Sequence, residues 1–170
     1  MKTIQFYTVA ASLFACVAMS SCGSNKSVLS STRPSSTTME CVQITSDGNF
    51  IIEVQSVGKD VENAKEEALK YSVRSLLFDG IQGSTSNRIQ GHKPLVTDPS
   101  TLLDKQNYFQ QLFDSGDYRL YAELIPNDLP RIVKVDNGYK IKVKVILKKN
   151  LLRRRLEKDG IIKSLSSTFN

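Results

Sequence analysis

The sequence predicts an α+β domain, and three observations lead there. Period-two apolar stretches bracket turn clusters in "CVQITSDGNFIIEVQSVG" and "RIVKVDNGYKIKVKVIL", the pattern of antiparallel hairpins. Two runs, Val61–Phe78 and Ser100–Asp114, repeat apolar residues at helical spacing. These elements come as a hairpin, two helices, three strands and a short helix rather than as alternating strand and helix, which argues for one antiparallel sheet of about five strands with two main helices packed on one face.

The first hairpin runs from Glu40 to Gly58, with "SDGN" as its turn. Asp60 is placed to cap the following helix, with Glu62 favourable in its first turn. Ala64, Ala68 and Ser72 form a stripe of small residues along that helix, which permits close approach to a sheet, and "DGI" closes it at Gly80. Gln82–Pro99 reads as a long loop carrying His92, the sole histidine. Loops longer than about 12–15 residues are uncommon and are often functional or mobile. The second helix starts at cap Ser100 and stops before Gly116. Strands are expected at Tyr118–Ile125, Arg131–Val135 and Tyr139–Leu147, the last two joined by "DNG". A short helix, Leu151–Asp159, follows cap Asn150, with Ile161 and Ile162 folding back after Gly160.

Before Glu40 the composition is different. Lys2 and the uncharged apolar run Ile4–Ala18 have the form of a signal peptide. Fifteen residues reach about 22 Å as a helix, short of the ~30 Å a membrane span must cross. "AMSSC" places Ser20 and Ser21 directly before Cys22 and resembles the lipobox of bacterial lipoproteins, with Met19 where a leucine is usual. That resemblance implies removal of residues 1–21 and acylation of Cys22. Residues 22–39 are then a Ser/Thr-rich tether, too poor in apolar side chains to bury a core, and 40–170 a single domain. With Cys16 removed and Cys22 acylated, Cys41 is the only thiol and no disulfide can form within the chain. Cys41 itself reads as a small buried hydrophobe. By the same resemblance, the absence of an acidic residue after Cys22 points to the outer membrane, with the domain facing the periplasm.

Nothing in the chain has the form of a catalytic or cofactor motif. One histidine and one thiol do not supply a structural zinc set. His92 has no nucleophile elbow to serve, and no P-loop, GxGxxG or EF-hand pattern occurs. Glu66 and Glu67 are adjacent, so they point in different directions on a helix and read as a solvated face. The expectation is a protein without enzymatic activity, cofactor or metal.

Charge carries the remaining signal. The net charge is +6, yet from Arg131 onward twelve basic residues accompany three acidic ones, so that end carries +9 and the remainder −3. In "YKIKVKVIL" the alternation sends Lys140, Lys142 and Lys144 to one side and Ile141, Val143, Val145 and Leu147 to the other. Lys148, Arg153 and Arg154 extend the positive region. It is either a solvated face whose lysines discourage edge-to-edge association or a docking surface for an anionic partner: lipid head groups, cell-wall polymer or an acidic protein patch. An exported, lipid-anchored chain does not normally meet nucleic acid, so that partner is not expected.

"FIIEVQSVGKDVENAKEEALKYSVRSLLFDGI" resembles a unit of small Gram-negative envelope lipoproteins, the flagellar outer-membrane-ring proteins of the FlgT and FlgP type. Their strand ends in a glycine and is followed by a helix with alanine every fourth residue, positions held here by Gly58, Ala64 and Ala68. "GYKIKVKVILKKNLLRRRLEKDGII" is similar to that group's closing strand and helix. The resemblance covers residues 50–81 and 138–162, and the loop Gln82–Pro99 has no counterpart in it. It carries no catalytic residues over and implies an assembly or scaffolding role at the outer membrane, with another envelope protein as partner.

Overall fold

The computed structural model describes residues 37–164, so the signal segment, Cys22 and most of the tether lie outside the described residues. The fold is α+β. Strands β1 (Thr38–Ile44) and β2 (Phe50–Gly58) form the first hairpin, and β5 (Gly138–Leu147) pairs antiparallel with the full length of β2, from Phe50 opposite Leu147 to Gly58 opposite Tyr139. The other side of β5 is shared by two short strands. β3 (Ala122–Leu124) lies beside Val145–Leu147, and β4 (Arg131–Val135) lies beside Gly138–Lys142. The sheet is therefore five-stranded, with an outer edge made in two pieces.

Alternation along β2 and β5 is strict. Phe50, Ile52, Val54 and Ser56 on β2, and Ile141, Val143, Val145 and Leu147 on β5, are buried beneath the helices. Helix α1 (Val61–Arg74) is seated on this face against β2, β5 and β3. Its Ala64 and Ala68 are fully buried, and the Ser56 hydroxyl donates to the Ala64 carbonyl at 2.7 Å. The seating is close enough that a β-carbon at Gly58 would lie 2.7 Å from the Ala64 α-carbon. Gly138, on the neighbouring strand at φ +152, has its own missing β-carbon directed at the Gly58 carbonyl. Asp60 caps α1 through Asn63 N–H at 2.7 Å.

Four elements depart from the sequence expectation. The first helix does not run regularly to Phe78: α1 ends at Arg74, and Ser75–Asp79 form a π-helical turn closed by Gly80 at φ +83. The widened turn leaves the Leu76 and Leu77 carbonyls to accept from Leu95 and Val96 N–H (3.0 and 2.9 Å), so the 82–99 segment is docked rather than loose. That segment folds back on itself through Ile81 opposite His92 and Ser84 opposite Ile89. The second helix is broken. Pro99 occupies the first position of α2 (Pro99–Asp104) with Asp98, not Ser100, as its cap, and α3 (Gln106–Asp114) begins after Lys105 bends the chain.

The strand expected at Tyr118–Ile125 shortens to β3, because Gly116 in the left-handed region turns Asp117–Leu120 into a 3-10 turn that buries Tyr118 against Phe113. Finally, α4 (Lys149–Lys158) starts before Asn150, whose amide donates instead to the Asp47 carbonyl across the first hairpin at 3.0 Å. Ile161 does fold back, buried against Leu156.

Helix α3 is held by Phe109, edge-on to Phe78, and by Tyr108, whose hydroxyl donates to Asp159 at the end of α4. Gly58→Ala should destabilise the domain by about 1–3 kcal/mol, the cost of forcing a packed contact apart. Urea unfolding of the variant beside the parent measures it.

Candidate functional site

β5 is buried on one face only, and its outward residues set the site. Antiparallel register places Gln55, Lys142 and Arg131 in one row across β2, β5 and β4, and Val57, Lys140 and Val133 in the next. Lys140, Lys142 and Lys144 therefore share the sheet face turned away from the helices, as the alternation predicts.

That face is not bare positive charge. Lys144 stands opposite Glu53 in register, yet its ammonium reaches Asp128 at 3.1 Å, and the same carboxylate accepts the Lys144 N–H. Glu53 is taken diagonally by Lys142. Lys148 pairs with Glu123 of β3 at 2.7 Å. Lys140 alone of these four has no ion pair among the described residues. Every paired lysine keeps a quarter or more of its side chain in water, so each pair contributes about 0–1 kcal/mol. The pairs cancel charge more than they hold the fold together.

Arg153 and Arg154 lie elsewhere, on the first turns of α4. With Lys148, Asp47, Asn49, Asn150, Leu151 and Glu157 they line an open groove of about 510 Å³. Arg153 is paired with Glu157 at 2.8 Å, and Arg154 donates to the Asn150 carbonyl at 3.3 Å. Lys148 borders both regions. The six basic residues thus form two neighbouring patches, a sheet face and a helix-start groove.

The acidic partners Glu53, Glu123 and Asp128 are the residues that sequence reasoning missed. Glu53 occupies an outward position of "FIIEVQSVG", which marked it as solvent-facing. Its alignment with Lys142 and Lys144 appears only once β2 and β5 are paired.

Cys41, His92 and Tyr108 each pack against other parts of the fold. Cys41 is buried, with its thiol toward the Gln43 carbonyl at 3.5 Å, and burial pushes its pKa up. That is the reverse of what activates a thiolate. His92 packs on Phe50 with ring centroids 5.3 Å apart and has Nδ1 2.5 Å from the Lys93 carbonyl; burial pulls its pKa down. Tyr108, pushed up to about 12 chiefly by burial and then by Asp159, forms a tie between α3 and α4 with Asp159 and Arg155. Among the described residues no group of three His, Cys, Asp or Glu is arranged to hold a metal, and no helix is long and apolar enough to cross a membrane.

No family model, curated protein or solved structure matches the chain significantly.

The carboxylates mask the lysines, so neutralising them should expose the face. Glu53→Gln with Asp128→Asn should move elution from a cation exchanger to higher salt by more than the same two-charge change made at Asp104 and Asp114, away from the basic face. Equal shifts would show that the pairs do not mask it.

Proposed function

We propose that this chain is a lipid-anchored, non-catalytic binding and assembly component of an outer-membrane or surface-organelle complex, its domain facing the periplasm. The observation that carries the proposal is the "AMSSC" segment at Met19 and Cys22, followed by the Ser/Thr-rich stretch and then a compact domain. A fatty-acylated cysteine followed by such a stretch would hold the domain near a bilayer while leaving its faces accessible. The resemblance of residues 50–81 and 138–162 to flagellar outer-membrane-ring lipoproteins supports an assembly role. So does a one-sided sheet whose uncovered face displays charge, because its chemistry is recognition rather than bond-making. No cofactor or nucleic acid enters this reading.

Radiolabelled palmitate should enter the chain in a Gram-negative host and be lost in Cys22→Ala. Incorporation that persists in the variant would overturn the anchor. Mild crosslinking of the detergent-extracted chain should yield heteromeric bands with other envelope proteins, and a strictly solitary monomer would overturn the assembly role.

A second reading draws on Lys140 and Arg154, the two basic side chains of these patches without an ion pair among the described residues. They suit an anionic cell-wall polymer. That reading expects retention on isolated sacculi that weakens as salt rises, and a fall in retention when Lys140, Lys142 and Lys144 are changed to Ser.

A further inference from the structure

The two edges of the sheet are finished differently. On the β1 edge the Cys41 N–H donates to the Gln82 carbonyl at 3.1 Å, so the docked 82–99 segment meets that edge at its buried middle, and the strand pairing shifts between Cys41 and Gln43. On the far side, the β3 part of the edge is followed by residues 125–130, which stay attached to β5: Ile125 N–H donates to the Lys144 carbonyl at 3.1 Å, and Asp128 binds Lys144. β3 also has β5 as its one strand neighbour but is three residues long, and Arg131–Val135 is the longer and more exposed part of this edge. β4 pairs with β5 alone, and Arg131, Ile132, Val133 and Lys134 are all exposed, with Ile132 at 48% and Val133 at 58%. A strand with one neighbour keeps alternate N–H and C=O groups directed outward, ready to pair with another chain.

The side chains on this edge decide what can pair there. Arg131 and Lys134 have no ion pair among the described residues, and they flank the apolar pair Ile132–Val133. A second copy of the chain, laid antiparallel with Arg131 opposite Lys134, would bring two like-charge pairs together. Shifted by one residue in either direction, it would set Arg131 and Lys134 opposite apolar residues and leave the charges of both copies without a partner. Like charges directly opposite one another destabilise a strand pair. The complementary strand carries acid, apolar, apolar, acid, and because the basic–apolar–apolar–basic order reads alike in both directions, it fits parallel or antiparallel. The open edge spans about 17 Å at ~3.4 Å per residue, the length of a short linear segment.

We propose that β4 is a strand-addition site for an extended acidic segment of another protein, read by backbone hydrogen bonds along Arg131–Val135 and by acidic side chains beside Arg131 and Lys134. The inference rests on the binding role proposed above and gives its partner a chemistry. The site differs from the lysine face in using the open backbone groups of β4, although Arg131 stands beside Lys142 in register.

The test is fluorescence anisotropy of the full chain in detergent with a short labelled peptide whose core reads acid–Ile–Val–acid. The expected result is saturable binding that weakens with salt. Methylating alternate backbone nitrogens of the peptide should abolish it, and Arg131→Glu with Lys134→Glu should weaken it by about tenfold or more. The doubly reversed variant should instead gain affinity for a peptide with a Lys–Ile–Val–Lys core. Loss of two positive charges outside the sheet, made as Lys93→Ser with Lys105→Ser, should leave acidic-peptide binding unchanged.

Binding that survives backbone methylation or charge reversal would overturn strand addition. So would absence of peptide binding, whether the chain is then monomeric or a dimer by sedimentation that the charge reversal dissociates; the dimer would assign the edge to a second copy. If peptide binding is absent while crosslinked envelope partners persist, the edge inference alone fails. If the peptide binds but no partner is crosslinked, the assembly role alone fails.

Discussion

The approach of α1 to the sheet at Gly58 is the constraint on which the rest depends. Two backbones meet there with no side chain between them: Gly58 has no β-carbon to push Ala64 away, and Gly138 leaves the Gly58 carbonyl room on the adjacent strand. With the helix this low, the buried residues of β2 and β5 are covered by alanine and serine at the near end and by larger groups, Val73, Leu76 and Leu77, farther along. The axis of α1 follows from that wedge, and so does the place where it must stop. Its C-terminal turn delivers Phe78 to Phe109 and the Leu76 and Leu77 carbonyls to the 82–99 segment.

With one face of the sheet taken by the helices, the other remains for charge. Its basic character is tempered locally: Glu53, Asp128 and Glu123 each hold a lysine. A surface of this kind recognises by exchange. A ligand carboxylate or phosphate that reaches Lys142 or Lys144 must displace the one already there, so the gain in affinity is the difference between two similar pairs. Nonspecific adhesion to anionic material is reduced for the same reason, while shape and hydrogen-bond geometry matter more. Arg131 and Lys134 lie outside this arrangement, at an edge where backbone groups are also open.

Much of the fold was legible because its signals are local. β4 runs over the residues its pattern indicates, the "DNG" hairpin joins it to β5, and the alternation of β5 names the buried and outward residues correctly. The misses were tertiary. Ser100 and Asn150 have the side chains of helix caps, but Asp98 stands before a proline that starts its helix one residue sooner, and the Asn150 amide finds the Asp47 carbonyl across the chain. "YRLY" has strand-forming residues, yet Tyr118 is drawn into the space beside Phe113, and burying it requires a turn. Lys140, Lys142 and Lys144 fall in the strand and Arg153 and Arg154 in the helix where the sequence puts them, with Lys148 between the two. Their division into two patches and their carboxylate partners depend on strand pairing, which no short stretch encodes.

The π-helical turn at Ser75–Asp79 carries a consequence for how this chain tolerates change. Such a turn is one residue longer than the α-helical turn it replaces. Because the π turn absorbs its extra residue within one turn, deleting a residue there would let the turn close as an ordinary α-helix with the phase beyond it kept, and would draw into helical hydrogen bonds the carbonyls that hold Leu95 and Val96. Conservative substitutions at the same positions leave the residue count, and therefore the widened turn with its free carbonyls, untouched. The docking of the 82–99 segment thus depends on chain length more than on side-chain identity: a junction that absorbs replacements and fails on a single-codon loss.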